Sequence, residues 1–150
     1  MWAVKYDPRW ISRKDIPISI GIYAWFTKDT DELIYIGKAT GKGGLRKRIW
    51  SQHLNPKYLE SRKNKFTAKD SYQVNNPIYH NNQLVIDKSA FRKNVSRAFL
   101  LKAGVESVEY ITNNFLFAFK AFNIDEVDTV VELEKQLIQE IKPRLNISYT

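Results

Sequence analysis

The stretch from Gly21 to Gly37, GIYAWFTKDTDELIYIG, constrains the fold more strongly than any other part of the chain. Apolar residues alternate with other residues along 18–26, and a second short apolar run covers 33–38. The segment TKDTDE between them is polar and has the composition of a turn. Two such runs joined by a short polar turn predict an antiparallel β-hairpin.

The predicted hairpin places two tyrosines on one face of a sheet. With the turn centred near Asp29, Tyr23 lies directly opposite Tyr35, and both side chains point the same way because residues alternate across a strand. The opposite face carries four isoleucines, Ile20, Ile22, Ile34 and Ile36. The two phenols form either an aromatic pair that stabilises the sheet or a pair that takes part in chemistry, and the hairpin alone leaves both interpretations open.

Length and composition indicate a single globular domain. The chain has 150 residues, of which 43% are hydrophobic and 27% charged. It has no cysteine, which excludes disulfides and thiolate metal sites, and only His53 and His80 could supply nitrogen ligands to zinc. Neither a secretory signal nor an apolar run that could span a bilayer is present. We therefore expect a cytoplasmic protein that does not enter a membrane.

Positive charge is concentrated in the first two thirds of the chain. The formal net charge is +8, and residues 1–104 contain 20 Lys and Arg against 8 Asp and Glu, whereas residues 105–150 contain 4 against 8. This asymmetry favours a polyanion such as nucleic acid as the partner, although a basic surface also serves solubility.

The first half of the chain divides into an arm, the start of a domain and one insertion. Residues 1–17 mix aromatic, basic and proline residues and predict an irregular arm, and the domain covers 18–150. After the hairpin, the glycine-rich loop ATGKGG leads into a predicted helix near Leu45–Leu54. Residues 55–88 are rich in Asn, Lys and Pro and show no steady period, so they predict a long loop or basic insertion.

The second half is predicted to contain both helices and strands. The expected elements are a helix over about Ser89–Lys102, strands around Val105–Ile111 and Phe115–Phe122, and a helix over about Asp125–Ile141. Pro143 stops the last helix. Together with the hairpin, these elements predict an α/β (α+β) fold with a small antiparallel sheet covered by helices.

Two charged residues interrupt apolar helix faces. The apolar period of the last helix predicts an apolar residue at position 134, where the chain has Glu134. A carboxylate there is costly unless it is paired or binds a cation, so it indicates either a catalytic or metal-binding role or a buried salt bridge. In the first helix, Arg48 lies near the side marked by Leu45 and Ile49. Such an arginine suits a fixed phosphate or a salt bridge to Glu134.

These residues together resemble the GIY-YIG nuclease superfamily. The matching segments are GIY at 21–23, YIGKA at 35–39, LRKR at 45–48 and LEKQLIQEIKPRLN at 133–146. The resemblance implies a three-stranded antiparallel sheet flanked by helices. It also implies a hydrolase that cleaves phosphodiester bonds with one divalent ion, usually Mg²⁺, with Mn²⁺ as an alternative.

The resemblance implies a role for each of five residues. Glu134 would coordinate the ion, and Arg48 would stabilise the charge that develops on the phosphate oxygens. Tyr23 would deprotonate or position the attacking water, with Tyr35 beside it. Asn146 would orient the site.

Lys38 and His53 are further candidates for the acid–base chemistry. A tyrosine is a weak base near neutral pH unless cations lower its pKa, and we expect Lys38, directly after the second tyrosine motif, to contribute to this. Superfamily members often carry His or Tyr four residues after the arginine, where this chain has Gln52. His53 follows about 100° further round an α-helix. A local distortion of the helix would bring His53 into the site, and a regular helix would leave Gln52 there.

The sequence therefore predicts a metal-dependent DNA endonuclease, most simply a compact restriction-type enzyme that acts as a homodimer when it cuts both strands. The basic residues expected to contact nucleic acid are Arg46, Lys47, Arg62, Lys63, Arg92, Lys93 and Arg97. The alternatives are a repair or branched-structure nuclease and a catalytically silent nucleic-acid-binding module.

Overall fold

The computed structural model describes residues 1–61 and 77–146, and its centre is a three-stranded antiparallel sheet. The strands are β1 (Ile20–Thr27), β2 (Leu33–Ala39) and β6 (Phe115–Phe122), in the order β2-β1-β6. The predicted hairpin, the predicted strand over Phe115–Phe122 and the predicted fold class are confirmed.

Both faces of the central strand are covered. All residues of β1 are buried. One face belongs to a core cluster that contains Trp25, Phe91 and Phe117, and the other belongs to a cluster that contains Ile22 and Val130. The sequence predicted one apolar face for this strand, whereas a strand covered on both sides is apolar on both.

The register of the hairpin differs from the predicted one. Tyr23 lies opposite Gly37, and Tyr35 lies opposite Trp25, so the prediction that the two tyrosines face each other directly was wrong. The register shifts near the turn because Ile34 is an additional residue in β2, which forms a bulge. The bulge also places Ile34 in the core cluster of the tyrosine face rather than with the other isoleucines.

The helix after the glycine-rich loop changes its hydrogen bonding part-way along. α1 begins as an α-helix over Gly44–Arg46 and continues as a π-helix over Lys47–His53. At its end, the backbone N–H of Leu54 donates to the carbonyl of Ile49, five residues earlier, at 3.0 Å. The periodicity predicted a helix over Leu45–Leu54 but not this wider turn.

Two further helices lie close to their predicted positions. α2 spans Ala90–Phe99 and ends earlier than predicted because Leu100 adopts a left-handed backbone conformation with φ of 56°. The last helix follows a 3₁₀ turn at Ile124–Glu126, spans Val127–Ile141 and ends before Pro143, as predicted. Within the described part of the chain, no helix combines the length and apolarity needed to cross a membrane.

The segment after α2 is a helix rather than a strand. The helix α3 spans Val105–Asn114, so the prediction of a strand over Val105–Ile111 was wrong. Its buried residues, Ser107 and Ile111, lie four positions apart, which is helical spacing. Because one of the two is polar, the spacing of the apolar residues in this segment does not distinguish a helix from a strand. The last helix, Val127–Ile141, is therefore α4.

A second, smaller antiparallel sheet lies in the segment predicted to be a loop. Its strands are β3 (Leu59–Ser61), β4 (Ile78–His80) and β5 (Gln83–Asp87), in the order β3-β5-β4. Strands of this length are too short to show a reliable period. Two of the predicted nucleic-acid contacts, Arg62 and Lys63, lie outside the described residues.

Candidate active site

The two tyrosines of the hairpin lie side by side on one face of the sheet. The ring centroids of Tyr23 and Tyr35 are 6.4 Å apart, and the rings are tilted by 32°. The phenol of Tyr23 lies across Gly37, since a Cβ atom at that position would be 2.3 Å from both Cζ and the hydroxyl oxygen. Gly37 thus leaves the space in which the Tyr23 ring lies.

The π-helix brings His53 to Tyr23. The wider turn adds a residue to one helical turn, so that His53 rather than Gln52 lies over the sheet after Arg48. The hydroxyl oxygen of Tyr23 is 2.6 Å from Nε2 of His53, and both side chains are buried. The local distortion considered from the sequence is therefore present.

The second nitrogen of His53 contacts α2. Nδ1 lies 2.6 Å from the hydroxyl oxygen of Ser89, the residue that caps the N-terminus of α2. Sequence reasoning missed Ser89, because a serine directly before a helix is already explained by its capping role.

Burial keeps the phenols and the imidazole neutral near pH 7. It raises the pKa of Tyr23 well above 10.0, and the charges of Tyr35 and Glu134 add to this increase while that of Arg48 opposes it. Burial, together with Glu134, raises the pKa of Tyr35 to about 12. Burial and the charges of Arg48 and Arg92 lower the pKa of His53 well below 6.5.

Arg48 lies close enough to Tyr23 and His53 for its charge to act on both, but on the solvent-exposed side of the site. It is exposed, and among the described residues it has neither a hydrogen bond nor an ion pair. It lines a polar pocket of about 100 Å³ together with Lys42, Lys47 and Gln52. The alternative in which Arg48 forms a salt bridge to Glu134 is not what the structure contains.

Glu134 pairs with Lys38 instead. Its side chain is 15% exposed, and Oε1 is 3.3 Å from Nζ of Lys38 on β2. Arg48 is the cation that opposes the rise in the pKa of both phenols, and the expected effect of Lys38 on them stays a prediction. In the described part of the chain, no three His, Asp or Glu side chains form a metal-binding group. Metal binding by Glu134 stays a prediction.

Asn146 fixes the edge of β2. Its side-chain oxygen accepts a hydrogen bond from the backbone N–H of Ile36 at 2.7 Å, and its amide nitrogen donates to the carbonyl of Ile36 at 2.8 Å. The backbone N–H of Leu145 also donates to Ile34 at 2.9 Å. Asn146 therefore holds the strand that carries Tyr35, and it does not itself contact the phenols.

Arg92 lies in the interior, and the prediction that it contacts nucleic acid was wrong. Its side chain is fully buried, with the guanidinium 2.5 Å from Asp87. One of its nitrogens donates to the backbone carbonyls of Gln52, at 2.8 Å, and Asn55. β5 and the end of α1 therefore cover the side of α2 that carries Arg92.

The other predicted nucleic-acid contacts differ in their surroundings. Lys47 is exposed in the pocket beside Arg48, and Arg46 is half-buried and donates to the backbone of the N-terminal arm at 2.7 Å. Lys93 is half-buried and forms an ion pair with a carboxylate of β3 at 2.9 Å. Arg97 is half-buried. Nucleic-acid contacts by these four residues stay predictions.

A comparison with protein-family models decides the family. A model described as the GIY-YIG catalytic domain matches residues 9–150, which is nearly the whole chain. The chain belongs to the GIY-YIG family. This GIY-YIG protein is therefore a nuclease in the general sense, and the matched range includes both tyrosine motifs, Arg48 and Glu134. No curated protein and no solved structure matches it.

Proposed function

We propose that this GIY-YIG protein is a divalent-metal-dependent DNA endonuclease of a compact restriction type. The observation that carries the proposal is the joint approach of a phenol pair, an arginine that has no partner among the described residues, and a carboxylate. Tyr23, Arg48 and Glu134 come from three different elements, and the charges of Arg48 and Glu134 both act on Tyr23.

The chain's own residues fit the needs of phosphodiester hydrolysis. Water attacks phosphorus, the bond to the leaving oxygen breaks, and the attacking water loses a proton. Tyr23 is the residue that we propose receives that proton once its phenol is ionised. Burial raises the pKa of this phenol and opposes its ionisation, and the positive charge of Arg48 favours it. Arg48 has its donors available for the phosphate oxygens, where negative charge develops.

The surroundings of Glu134 are compatible with a magnesium ion. Mg²⁺ commonly takes one or two carboxylates and completes its shell with water and substrate phosphate. Glu134 would hold the ion, and Lys38, whose contact with it is long at 3.3 Å, would move aside. When bound, the ion would supply positive charge to the phosphate and lower the pKa of a bound water.

The pocket beside Arg48 supports a polyanionic substrate. Lys42 and Lys47 line it with Arg48, and among the described residues none of the three has an ion-pair partner. Gln52, which the π-helix leaves on this side, adds a hydrogen-bond donor. We propose that this pocket holds a backbone phosphate next to the one that is cleaved.

Cleavage of both DNA strands would require two copies of the chain, since one such site cuts one strand. A homodimer with two-fold symmetry matches the two antiparallel strands of DNA. This is the arrangement we propose for the restriction-type activity.

The test is incubation of supercoiled plasmid with the wild type and with Glu134→Gln, with and without Mg²⁺. Glu132→Gln is the matched control, because Glu132 is exposed on the same helix. We expect discrete linear fragments from the wild type and the control, in Mg²⁺ only, and none from Glu134→Gln. Nicked circles alone would replace the restriction-type activity with a repair-type one. Intact plasmid in both Mg²⁺ and Mn²⁺ would contradict the proposal for duplex DNA.

A further inference from the structure

The hydroxyl group of Ser89 sits between two nitrogens at the base of the tyrosine site. It accepts a hydrogen bond from the backbone N–H of Arg92 at 3.2 Å, and it lies 2.6 Å from Nδ1 of His53. Ser89 is only 4% exposed, so its own proton needs an acceptor within the protein. Among the described residues, the acceptor within reach is Nδ1 of His53.

These contacts determine the position of the imidazole proton. If Nδ1 carried the proton, the serine oxygen would face two donors, and its own proton would be buried without an acceptor. With Nδ1 as the acceptor, a neutral His53 carries its proton on Nε2. The N–H at Nε2 then donates to the hydroxyl oxygen of Tyr23, at 2.6 Å.

We infer that Ser89 is a positioning residue of the nuclease site, which fixes His53 in the Nε2–H form so that the oxygen of Tyr23 is a hydrogen-bond acceptor. The proton of Tyr23 is then directed away from His53. Among the described residues, the Tyr23 hydroxyl has no second hydrogen-bond partner. Tyr23 is only 2% exposed, so its proton also needs an acceptor, and the acceptor we infer is a water molecule or a substrate oxygen on the side of Arg48 and Glu134, whose charges act on this phenol.

The position of the proton on His53 determines which group takes the proton from the attacking water. In the step we infer, the phenol first passes its proton to a water molecule on the side of Arg48, whose charge opposes the rise in pKa that burial causes, and the phenolate that remains accepts a hydrogen bond from His53. The phenolate then takes a proton from the attacking water, which restores the phenol while the new phosphorus–oxygen bond forms. His53 stays neutral throughout. Transfer onto His53 would instead place a cation in a buried position near Arg48 and Arg92.

Arg92 also stabilises the position of His53, through hydrogen bonds to the backbone around the end of the π-helix. Its guanidinium donates to the carbonyl of Gln52 at 2.8 Å and also to that of Asn55, at the end of the π-helix. Asp87 holds the guanidinium in turn, at 2.5 Å. The start of α2 thus contacts both the ring of His53, through Ser89, and the helical turn that carries it.

The test is to locate the proton on His53 by NMR of protein labelled with ¹⁵N in its imidazole rings. The chain has two histidines, and His80→Gln assigns the signals of His53. At pH 7 we expect the wild type to show a protonated Nε2 and an unprotonated Nδ1. A protonated Nδ1, or a doubly protonated ring, would overturn the inference. This measurement uses the free protein, so its result is independent of whether the chain cleaves DNA.

Two substitutions at Ser89 extend the test. Ser89→Ala removes the donor to Nδ1, and we expect a mixture of the two ring forms. Ser89→Thr keeps a hydroxyl at the same position, and we expect the wild-type ring form. Unchanged ring signals in Ser89→Ala would overturn the inference, and the wild-type spectrum decides it if that variant does not fold.

The effect on activity rests on the proposed function. We expect the single-turnover cleavage rate of Ser89→Ala to fall by about 10- to 100-fold, by analogy with the loss when a hydrogen-bond partner of a metal-ligating histidine is removed, with unchanged affinity for DNA. Ser89→Thr should restore most of the rate. A wild-type rate in Ser89→Ala would contradict the positioning role.

Discussion

The site has a buried half and an open half, and the two are built differently. The buried half, Tyr23, His53 and Ser89, is neutral and linked by hydrogen bonds of 2.6 Å. The open half, Lys38, Arg48 and Glu134, is charged and exposed to different degrees. The buried half can fix atoms in place because burial removes competing water, and the open half keeps charges that a substrate can still reach.

The two arginines nearest His53 illustrate the difference. Arg48 is exposed and has no partner among the described residues, whereas Arg92 is fully buried and donates to a carboxylate and two carbonyls. Both charges act on His53 and lower its pKa. We therefore expect Arg48 to serve substrate binding and Arg92 to serve the stability of the fold, and substitutions should separate the two roles.

The largest expected effects come from removing each arginine in turn. Arg92→Met leaves the carboxylate of Asp87 buried without its cation, and we expect the free energy of unfolding to fall by about 3–5 kcal/mol. Arg48→Ala should change that free energy by less than about 0.5 kcal/mol but lower the cleavage rate by about 10²- to 10³-fold. Urea denaturation and single-turnover cleavage measure the two quantities. A large loss of stability in Arg48→Ala would remove the distinction between the halves.

A smaller effect is expected from filling the space beneath the Tyr23 ring. In Gly37→Ala, the new methyl group would lie 2.3 Å from the phenol, so the ring must move. We expect the free energy of unfolding to fall by about 1–3 kcal/mol, as in overpacked cores, and cleavage to weaken with it. Gly41→Ala is the matched control for stability, since a Cβ there meets no atom within 4 Å. Equal denaturation midpoints for the two variants would contradict this packing.

The smallest expected effect is a pH dependence of stability that comes from His53. Its pKa in the folded state lies well below the value of 6.5 for an unfolded histidine. Below pH 6.5 the unfolded chain therefore binds a proton that the folded chain does not bind. Stability is full above that pH and decreases as the pH falls, by up to about 1.4 kcal/mol per pH unit.

Two histidine variants check this dependence. Unfolding by urea between pH 7 and 5 should show a flatter profile for His53→Gln than for the wild type. His80→Gln is the control, because His80 is exposed and should leave the profile unchanged. A profile that His53→Gln does not flatten would mean that the imidazole is not buried as described.

The open half was easier to predict from the sequence than the buried half. Glu134 and Arg48 stood out because a charge on an apolar period is visible in one segment. The ion-pair partner of Glu134 did not stand out, because the contact between Glu134 and Lys38 depends on how two distant segments meet. The hairpin was predicted for the same local reason, while its register depended on a one-residue bulge at Ile34.

The buried half depends on features without a local signal. A π-helix has no apolar period that separates it from an α-helix over one or two turns, so the place of His53 stayed open. Arg92 was wrongly predicted to contact nucleic acid because the second sheet, whose strands are three to five residues long, covers a side of α2 that an isolated helix would expose.

The most direct test of the central claim compares two single-atom changes in the tyrosine pair. Tyr23→Phe removes the oxygen that contacts His53, and Tyr35→Phe removes the neighbouring one. Single-turnover cleavage of duplex DNA in Mg²⁺ is measured for both, with DNA affinity as the control. We expect a loss of about 10²- to 10⁴-fold for Tyr23→Phe and a smaller loss for Tyr35→Phe, with affinity unchanged. A wild-type rate in Tyr23→Phe would contradict the account.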